Sequence, residues 1–309
     1  MKKYIIPLVL VSLAMVGCKT NDQVSLTIVT PTGAPALAFY KHAKDENFET
    51  NNDPSNIAVM MAAGQKDVVV LPTNAGMQAI VKNNVPYKIA ATITFGNFYI
   101  ASLNNDENNE MDASDTILLF QQNSVPDKIF HYVYGNDFDS NIHYVNAVSD
   151  AAAACISGQF TTADGNKLTP NYVLLAQPVL TNVLSKKDTV TVYANIQNKY
   201  QEKSEGKKMF QASVFIKDTV EEKDGLAFLD SLKADIEGAI ENPSLLEDDL
   251  NQIENAQEKY GVAPAMAKAV LANNNGMGLG FAKAKDNKAA IENFLGIFGI
   301  KDIDEKVYF

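Results

Sequence analysis

The chain has 309 residues, of which 46% are apolar, enough to bury a substantial core in two ordinary domains or one large one. Disorder as a global description is excluded. With 26 basic against 37 acidic side chains the formal charge is -11, which disfavours a nucleic-acid backbone as partner. Two cysteines and three histidines support neither a disulfide framework nor a multi-thiolate metal site, and no cofactor is expected.

Every basic residue is a lysine, because the chain contains no arginine. The bidentate guanidinium fork that clamps a ligand carboxylate is therefore missing, and lysine does not reproduce its geometry.

Residues 1–18, MKKYIIPLVLVSLAMVGC, combine a positive start at Lys2 and Lys3 with an apolar stretch over 4–16 and end on Gly17 and Cys18. This reads as an export signal. The apolar run is shorter than the roughly 20 residues needed to cross a bilayer, and the polar KTNDQ follows it. The closing MVGC resembles a bacterial lipobox, although Met15 stands where leucine is usual. That resemblance implies lipidation of Cys18, which becomes the first mature residue. Removal of residues 1–17 leaves 24 basic and 37 acidic side chains, a charge of -13. The mature protein is expected in the periplasm or on the outer face of the cell membrane, held by its acyl chains.

Residues 24–30 (VSLTIVT) alternate β-branched side chains and predict a strand, followed by the turn Pro31, Thr32, Gly33, Ala34, Pro35 and a helix over ALAFYKHA. A helix over 55–63 ends at Gly64. The apolar DVVVL (67–71) then predicts a strand buried on both faces, with Pro72, Thr73 and Asn74 as its turn and a helix over 75–82. Residues 87–94 complete this run as a strand. Successive strand-turn-helix units imply a parallel sheet whose ligand cleft lies at the carboxyl ends of the strands.

The plan restarts at 116–120 (TILLF), with Gln121, Gln122, Asn123, Ser124 and Val125 as turn and Pro126 opening a helix that stops at Gly135. A short strand at 143–145, an alanine-rich helix over 150–156 capped by Ser149, and the buried-type strand 172–176 (YVLLA) follow. The two halves echo each other: helix, Gly64-Gln65, strand and Pro72 in one, and helix, Gly158-Gln159, strand and Pro178 in the other. The extended apolar segments FGNFYIAS (95–102) and QASVFIKD (211–218) are placed as long strands carrying the chain from one lobe to the other and back. Helices over 225–240, 245–260, 264–272 and 287–298 complete lobe one. Their acidic cluster, Glu247, Asp248, Asp249, Glu254 and Glu258, reads as a solvated face, since it lacks the alternating ligands and glycine turn of a calcium loop.

The stretches GAPALAFYKHA, AAGQKDVVVLPTNAGMQAI, GNFYIAS, LFQQNSVPDKIFHYV and AAAACISGQF with YVLLAQPVLTNVL, in that order, resemble the type II periplasmic solute-binding proteins of ABC importers, above all the nitrate, sulfonate and thiamine-precursor group. The resemblance implies a two-lobe α/β fold, each lobe a mostly parallel sheet flanked by helices, joined by a two-strand hinge. It places lobe one in 24–98 plus 214–309 and lobe two in 99–213. It implies a solute held between the lobes, hinge closure, and delivery to an ABC permease, with the protein acting as a monomer. The segment 161–171 reads as an insertion, and Gln177 stands where relatives often carry an acidic residue.

Ligand contacts are expected from Thr32, Gly33, Thr73, Asn74, Asn97, Phe98, Gln122, Asn123, Ser124 and Gln177. Backbone N–H groups after Thr30 and after Gln122 can hold an anionic or polar group. Phe95, Phe98 and Tyr99 are candidates for an aromatic wall. With no basic residue in these turns, the expected solute is small and polar or weakly anionic. Cys155 reads as a buried small hydrophobe, and His42, His131 and His143 as surface or core residues with no metal. An enzyme on the same fold, similar to those of menaquinone and thiamine biosynthesis, and a surface interaction lipoprotein are the alternatives. The turns hold no carboxylate pair and no Ser–His arrangement, so catalysis is disfavoured.

Overall fold

The computed structural model describes residues 25–104 and 110–309. The expected signal and Cys18 lie outside the described residues.

The chain begins with strands β1 (Ile28–Pro31), β2 (Phe48–Asn51), β3 (Val68–Pro72) and β4 (Tyr87–Thr94). Helices α1 (Ala34–Leu37), α2 (Pro54–Ala62) and α3 (Thr73–Asn83) connect them. β1 pairs in parallel with β2 on one side and β3 on the other. The unbroken apolar run of β3 has its cause in the layers around it. Val68 and Val70 pack into one core, Val69 and Leu71 into another, and all four are buried.

A second set of elements follows: β5 (Phe98–Ser102), β6 (Ile117–Phe120), α4 (Val125–Tyr134), β7 (Ile142–Val145), α5 (Val148–Ser157) and β10 (Tyr172–Ala176), with β8 (Phe160–Thr161) and β9 (Lys167–Leu168) inserted before β10. α6 (Val179–Leu184), β11 (Thr191–Asn195) and α7 (Ile196–Lys203) close the set. The sheet order is β11-β5-β10-β6-β7, with β6, β7 and β10 parallel and β5 antiparallel to its neighbours. In β10, Tyr172 and Leu174 face one core while Val173 and Leu175 meet Cys155 and Leu180 of α5 and α6 in another. Truncating a buried leucine such as Leu174 to alanine costs about 2–5 kcal/mol.

The chain then returns to the first sheet as β12 (Ala212–Lys217) and, after α8 (Glu222–Glu241), α9 (Pro243–Leu250), α10 (Ala256–Tyr260) and α11 (Pro264–Ala272), as β13 (Leu279–Lys283). α12 (Lys288–Gly296) packs near the end. The order is β13-β4-β12-β3-β1-β2, in which β12 and β13 run antiparallel to β4. The helix expected over 245–260 is two helices, because Asn255 takes a left-handed φ of 57° between them. α5 starts after Ala147, whose N–H is held by Asp150 at 3.1 Å, so Ser149 lies inside the helix and is not its cap.

The strands expected at the two crossings are formed as β5 and β12, but each stays within one sheet and does not itself cross between the lobes. β4 belongs to the first sheet and β5 to the second, and the break falls at 95–97. Gly96 there has φ 108°, and Phe95 N–H donates to the Gly278 carbonyl at 2.7 Å. The outgoing passage joins β4 to β5, and the return passage joins α7 to β12.

Candidate functional site

A cavity of about 1070 Å³ lies between the two sheets. Pro31, Pro35, Pro54, Pro72 and Thr94 line it from the first sheet and its helices, together with Gln211 and Ala212. Phe98, Phe120, Ile142, Tyr144 and Val145 face them from the second, with Gln121, Gln122, Ser124 and Asn146 at its turns. No lysine is among the lining residues, and Asp53 is their one carboxylate. The lining mixes an apolar wall with a few polar groups, as small-molecule sites do, and the volume is at the upper end for such sites.

The starts of α1, α2 and α4 border this cavity, and several of their donors are spent internally. α1 is a single turn whose preceding N–H groups, on Thr32 and Gly33, donate to Asn51 at 3.2 Å and Tyr260 at 2.8 Å. At α2 the Asp53 carboxylate accepts from Ser55 N–H at 2.8 Å. At α4 the Asn123 N–H donates to Asp127 at 2.6 Å and the Ser124 N–H to Gln121 at 3.1 Å. Pro35, Pro54 and Pro126 occupy first-turn positions of the three helices and bring no N–H at all. Of the anion-holding amides expected after Thr30 and Gln122, those of Thr32, Gly33, Asn123 and Ser124 are thus engaged within the protein.

Of the residues expected to touch ligand, Asn97, Phe98, Gln122 and Ser124 line the cavity. The others are placed differently. Thr32 lines a separate, polar surface hollow with Asn255 and Lys259. Thr73 is fully buried and bonds Ser213 at 2.7 Å, and Asn74 follows it in α3. Gly33 and Asn123 spend their N–H groups as described. Gln177 is buried, its side-chain carbonyl accepting from the Thr181 hydroxyl at 2.8 Å. Phe95 packs edge-on against Phe210, and the Tyr99 hydroxyl donates to Gly276 at 3.3 Å, so Phe98 alone of the three aromatics reaches the cavity.

Several lining residues carried no sequence signal. Thr94 and Gln211 end up side by side because β12 returns beside β4; Gln211 N–H donates to the Thr94 carbonyl at 3.0 Å. Thr94 is 2% exposed, and no described residue bonds its hydroxyl or the Gln211 side-chain carbonyl. Thr162 and Ala163, from the expected insertion, reach the cavity at the tip of the β8–β9 hairpin. His143, expected on the surface or in the core, also lines it and lies against Phe160 with ring centroids 5.3 Å apart.

Behind the wall, Asp127 is 3% exposed at the start of α4 and accepts from the Tyr144 hydroxyl at 2.9 Å. Burial, and then the bond to Asp127, push the Tyr144 phenol well above its ordinary range, so it keeps its proton. His131 sits between Asp127 and Asp139, 3.0 and 3.1 Å from their carboxylates. The acidic cluster on α9 is a surface face, with Asp249 paired to Lys41 at 2.6 Å and Glu247 to Lys268 at 2.7 Å. Among the described residues no group of three or more His, Cys, Asp or Glu side chains is arranged to hold a metal, and no helix is long and apolar enough to cross a membrane.

No family model matches the sequence, and no curated protein is detectably similar to it. Solved structures are similar over nearly the whole chain. An ABC transporter protein from Parabacteroides distasonis is 17% identical with a TM-score of 0.69, covering 91% of this chain and 93% of its own. The periplasmic aliphatic sulphonate binding protein of Escherichia coli is 12% identical with a TM-score of 0.61, covering 91% and 90%. The ligand-binding component of an ABC-type import system from Staphylococcus aureus, a zinc-bound structure, is 10% identical with a TM-score of 0.60, covering 91% and 94%. The fold is therefore that of the periplasmic binding proteins of ABC import systems: two mixed α/β sheets, flanked by helices, with a cleft between them.

Proposed function

We propose that the protein is the extracytoplasmic substrate-binding component of an ABC importer, tethered through lipidated Cys18. It captures a small solute between its lobes and presents the closed form to a permease. The observation that carries this reading is the cavity itself, walled by both sheets, with two crossings joining them among the described residues. A solute touching both walls makes its full set of contacts only when they approach, so binding shifts the population toward closure. The fold shared with solute-binding proteins and the export signal agree with capture rather than turnover.

The test is a thermal-shift screen of the mature chain against sulfonates, nitrate, thiamine and its pyrimidine precursors, riboflavin, nucleobases and amino acids. Small-angle scattering on each hit reads closure. A solute at about 100 times its dissociation constant stabilises the fold by about 2.7 kcal/mol. Stabilisation with compaction supports the receptor. Product formation makes the protein an enzyme on this fold, and silence across the screen favours a protein-interaction role. The anchor is tested separately: Cys18→Ser moves the protein from the membrane to the soluble fraction if Cys18 carries the lipid.

A further inference from the structure

We propose that Asp127, acting through Tyr144, makes the cleft select solutes that donate a hydrogen bond and carry no negative charge. The inference rests on the receptor reading and narrows it, removing weakly anionic solutes from the expected class. Tyr144 lines the cavity, and its hydroxyl hydrogen is committed to Asp127 Oδ1 at 2.9 Å. A carboxylate offers only acceptors, so the hydroxyl cannot turn its hydrogen to a ligand and can meet one only with its lone pairs. A ligand N–H or O–H satisfies that oxygen, whereas a carboxylate or sulfonate oxygen is repelled by it.

Asp127 is held in this role from both sides. Its Oδ2 accepts from Asn123 N–H at 2.6 Å, and His131 Nδ1 lies 3.0 Å from Oδ1. The remaining cleft agrees independently. Asp53 adds a carboxylate to the lining, no lysine offsets it, and the chain has no arginine. The bordering helix starts hold prolines at first-turn positions and spend the N–H groups of Thr32, Gly33, Ser55, Asn123 and Ser124 within the protein, which reduces the donors left for an anion. The apolar wall of Phe98, Phe120 and Ile142 fits a flat or ring-bearing body. The class is a small uncharged or cationic solute with an apolar ring and N–H or O–H donors.

Four planar molecules of one size test it by thermal shift and calorimetry on the mature chain: benzamidine, benzamide, benzoate and benzenesulfonate, each at up to about 10 mM, a range that resolves millimolar dissociation constants. Benzamidine and benzamide are expected to stabilise the protein, and the two anions are not. Tyr144→Phe keeps the ring and loses the acceptor, and is expected to weaken benzamide about tenfold.

Asp127→Asn separates positioning from structure. Its amide oxygen must stay toward Asn123 N–H, which turns its NH2 to Tyr144 and frees the phenol hydrogen for the cleft. The ratio of benzamide to benzoate affinity is then expected to fall at least about tenfold. Equal loss for both molecules in Asp127→Asn, with benzamide unchanged in Tyr144→Phe, overturns the inference. So does a wild-type preference for benzoate or benzenesulfonate, which leaves the receptor reading standing. Silence from all four molecules together with the wider screen removes that reading, and this inference with it.

Discussion

Gln211 donates its side-chain amide to Asn97 Oδ1 at 3.0 Å, so the two passages between the lobes are bonded to each other. Asn97 also donates to the Gln177 carbonyl at 2.9 Å, and Gln177 N–H returns a bond to the Asn97 carbonyl at 2.9 Å. One side chain thus ties the outgoing crossing, the end of β10 and the return crossing together. Asn97→Ala leaves these partners unmet in a buried place and is expected to cost about 1–3 kcal/mol in urea unfolding. Gln211→Ala should cost less, and the double variant should show a coupling of about 0.5 kcal/mol or more, since the two residues share a bond. Strict additivity counts against the tie.

The close approach of Gly278 to Gly96 makes a second prediction. Gly278 has φ 63°, and a Cβ there falls on the Gly96 carbonyl, which is backbone and cannot move aside. Gly278→Ala is expected to destabilise by about 2–4 kcal/mol, from left-handed strain plus the clash. Gly296, at the exposed end of α12, has nothing within 4 Å of its would-be Cβ. Gly296→Ala is expected to gain about 0.4–1 kcal/mol, because it narrows the unfolded ensemble at no steric cost. Similar losses at both positions, measured by denaturant unfolding, would refute the packing argument.

The elements read most accurately from sequence are those whose environment is uniform. β4, β10 and α11 are formed over the residues expected, β10 because burial on both faces leaves an unbroken apolar run, and α11 because Pro264 opens it. β11 escaped notice because Thr191, Val192 and Tyr193 are exposed on a sheet edge, and β13 because its glycine hides the alternation. The cleft was legible at Asn97, Phe98, Gln122 and Ser124, where turn chemistry follows a buried strand. It was not legible at Thr94 and Gln211, which become neighbours only through the return crossing. Nor was it legible at Asp53, which reads as an ordinary cap.

Buried ionisable groups set the alkaline limit of the fold. Burial pushes the Cys155 thiol to about 12 and the Tyr87 and Tyr200 phenols to about 12, from ordinary values of 9.0 and 10.0. These groups stay protonated in the folded chain at a pH where the unfolded chain has released their protons. The unfolded state then binds fewer protons, so stability falls as pH rises. The contribution is full below pH 9.0 and is lost between that point and about 12. Urea midpoints from pH 8 to 11 should decline, and Tyr87→Phe should flatten the slope. Cys155 should resist thiol reagents at pH 8 in the folded protein and react on unfolding. A midpoint independent of pH over this range would show that the phenols are not sealed from water.

Thr94 separates stability from binding most sharply. Its side chain is buried in the cavity wall, and no described residue bonds its hydroxyl. A polar atom in that position weakens the fold by about 1–3 kcal/mol relative to an apolar group of the same shape. Thr94→Val has that shape, so it is expected to raise the unfolding midpoint. If the hydroxyl serves the ligand, the same variant loses a bond on binding and its affinity falls about five- to tenfold for the solute found in the screen. A more stable protein that binds less tightly places Thr94 in the site. A more stable protein with unchanged affinity makes Thr94 an incidental polar residue and moves the floor of the site to Asn97 and Gln211.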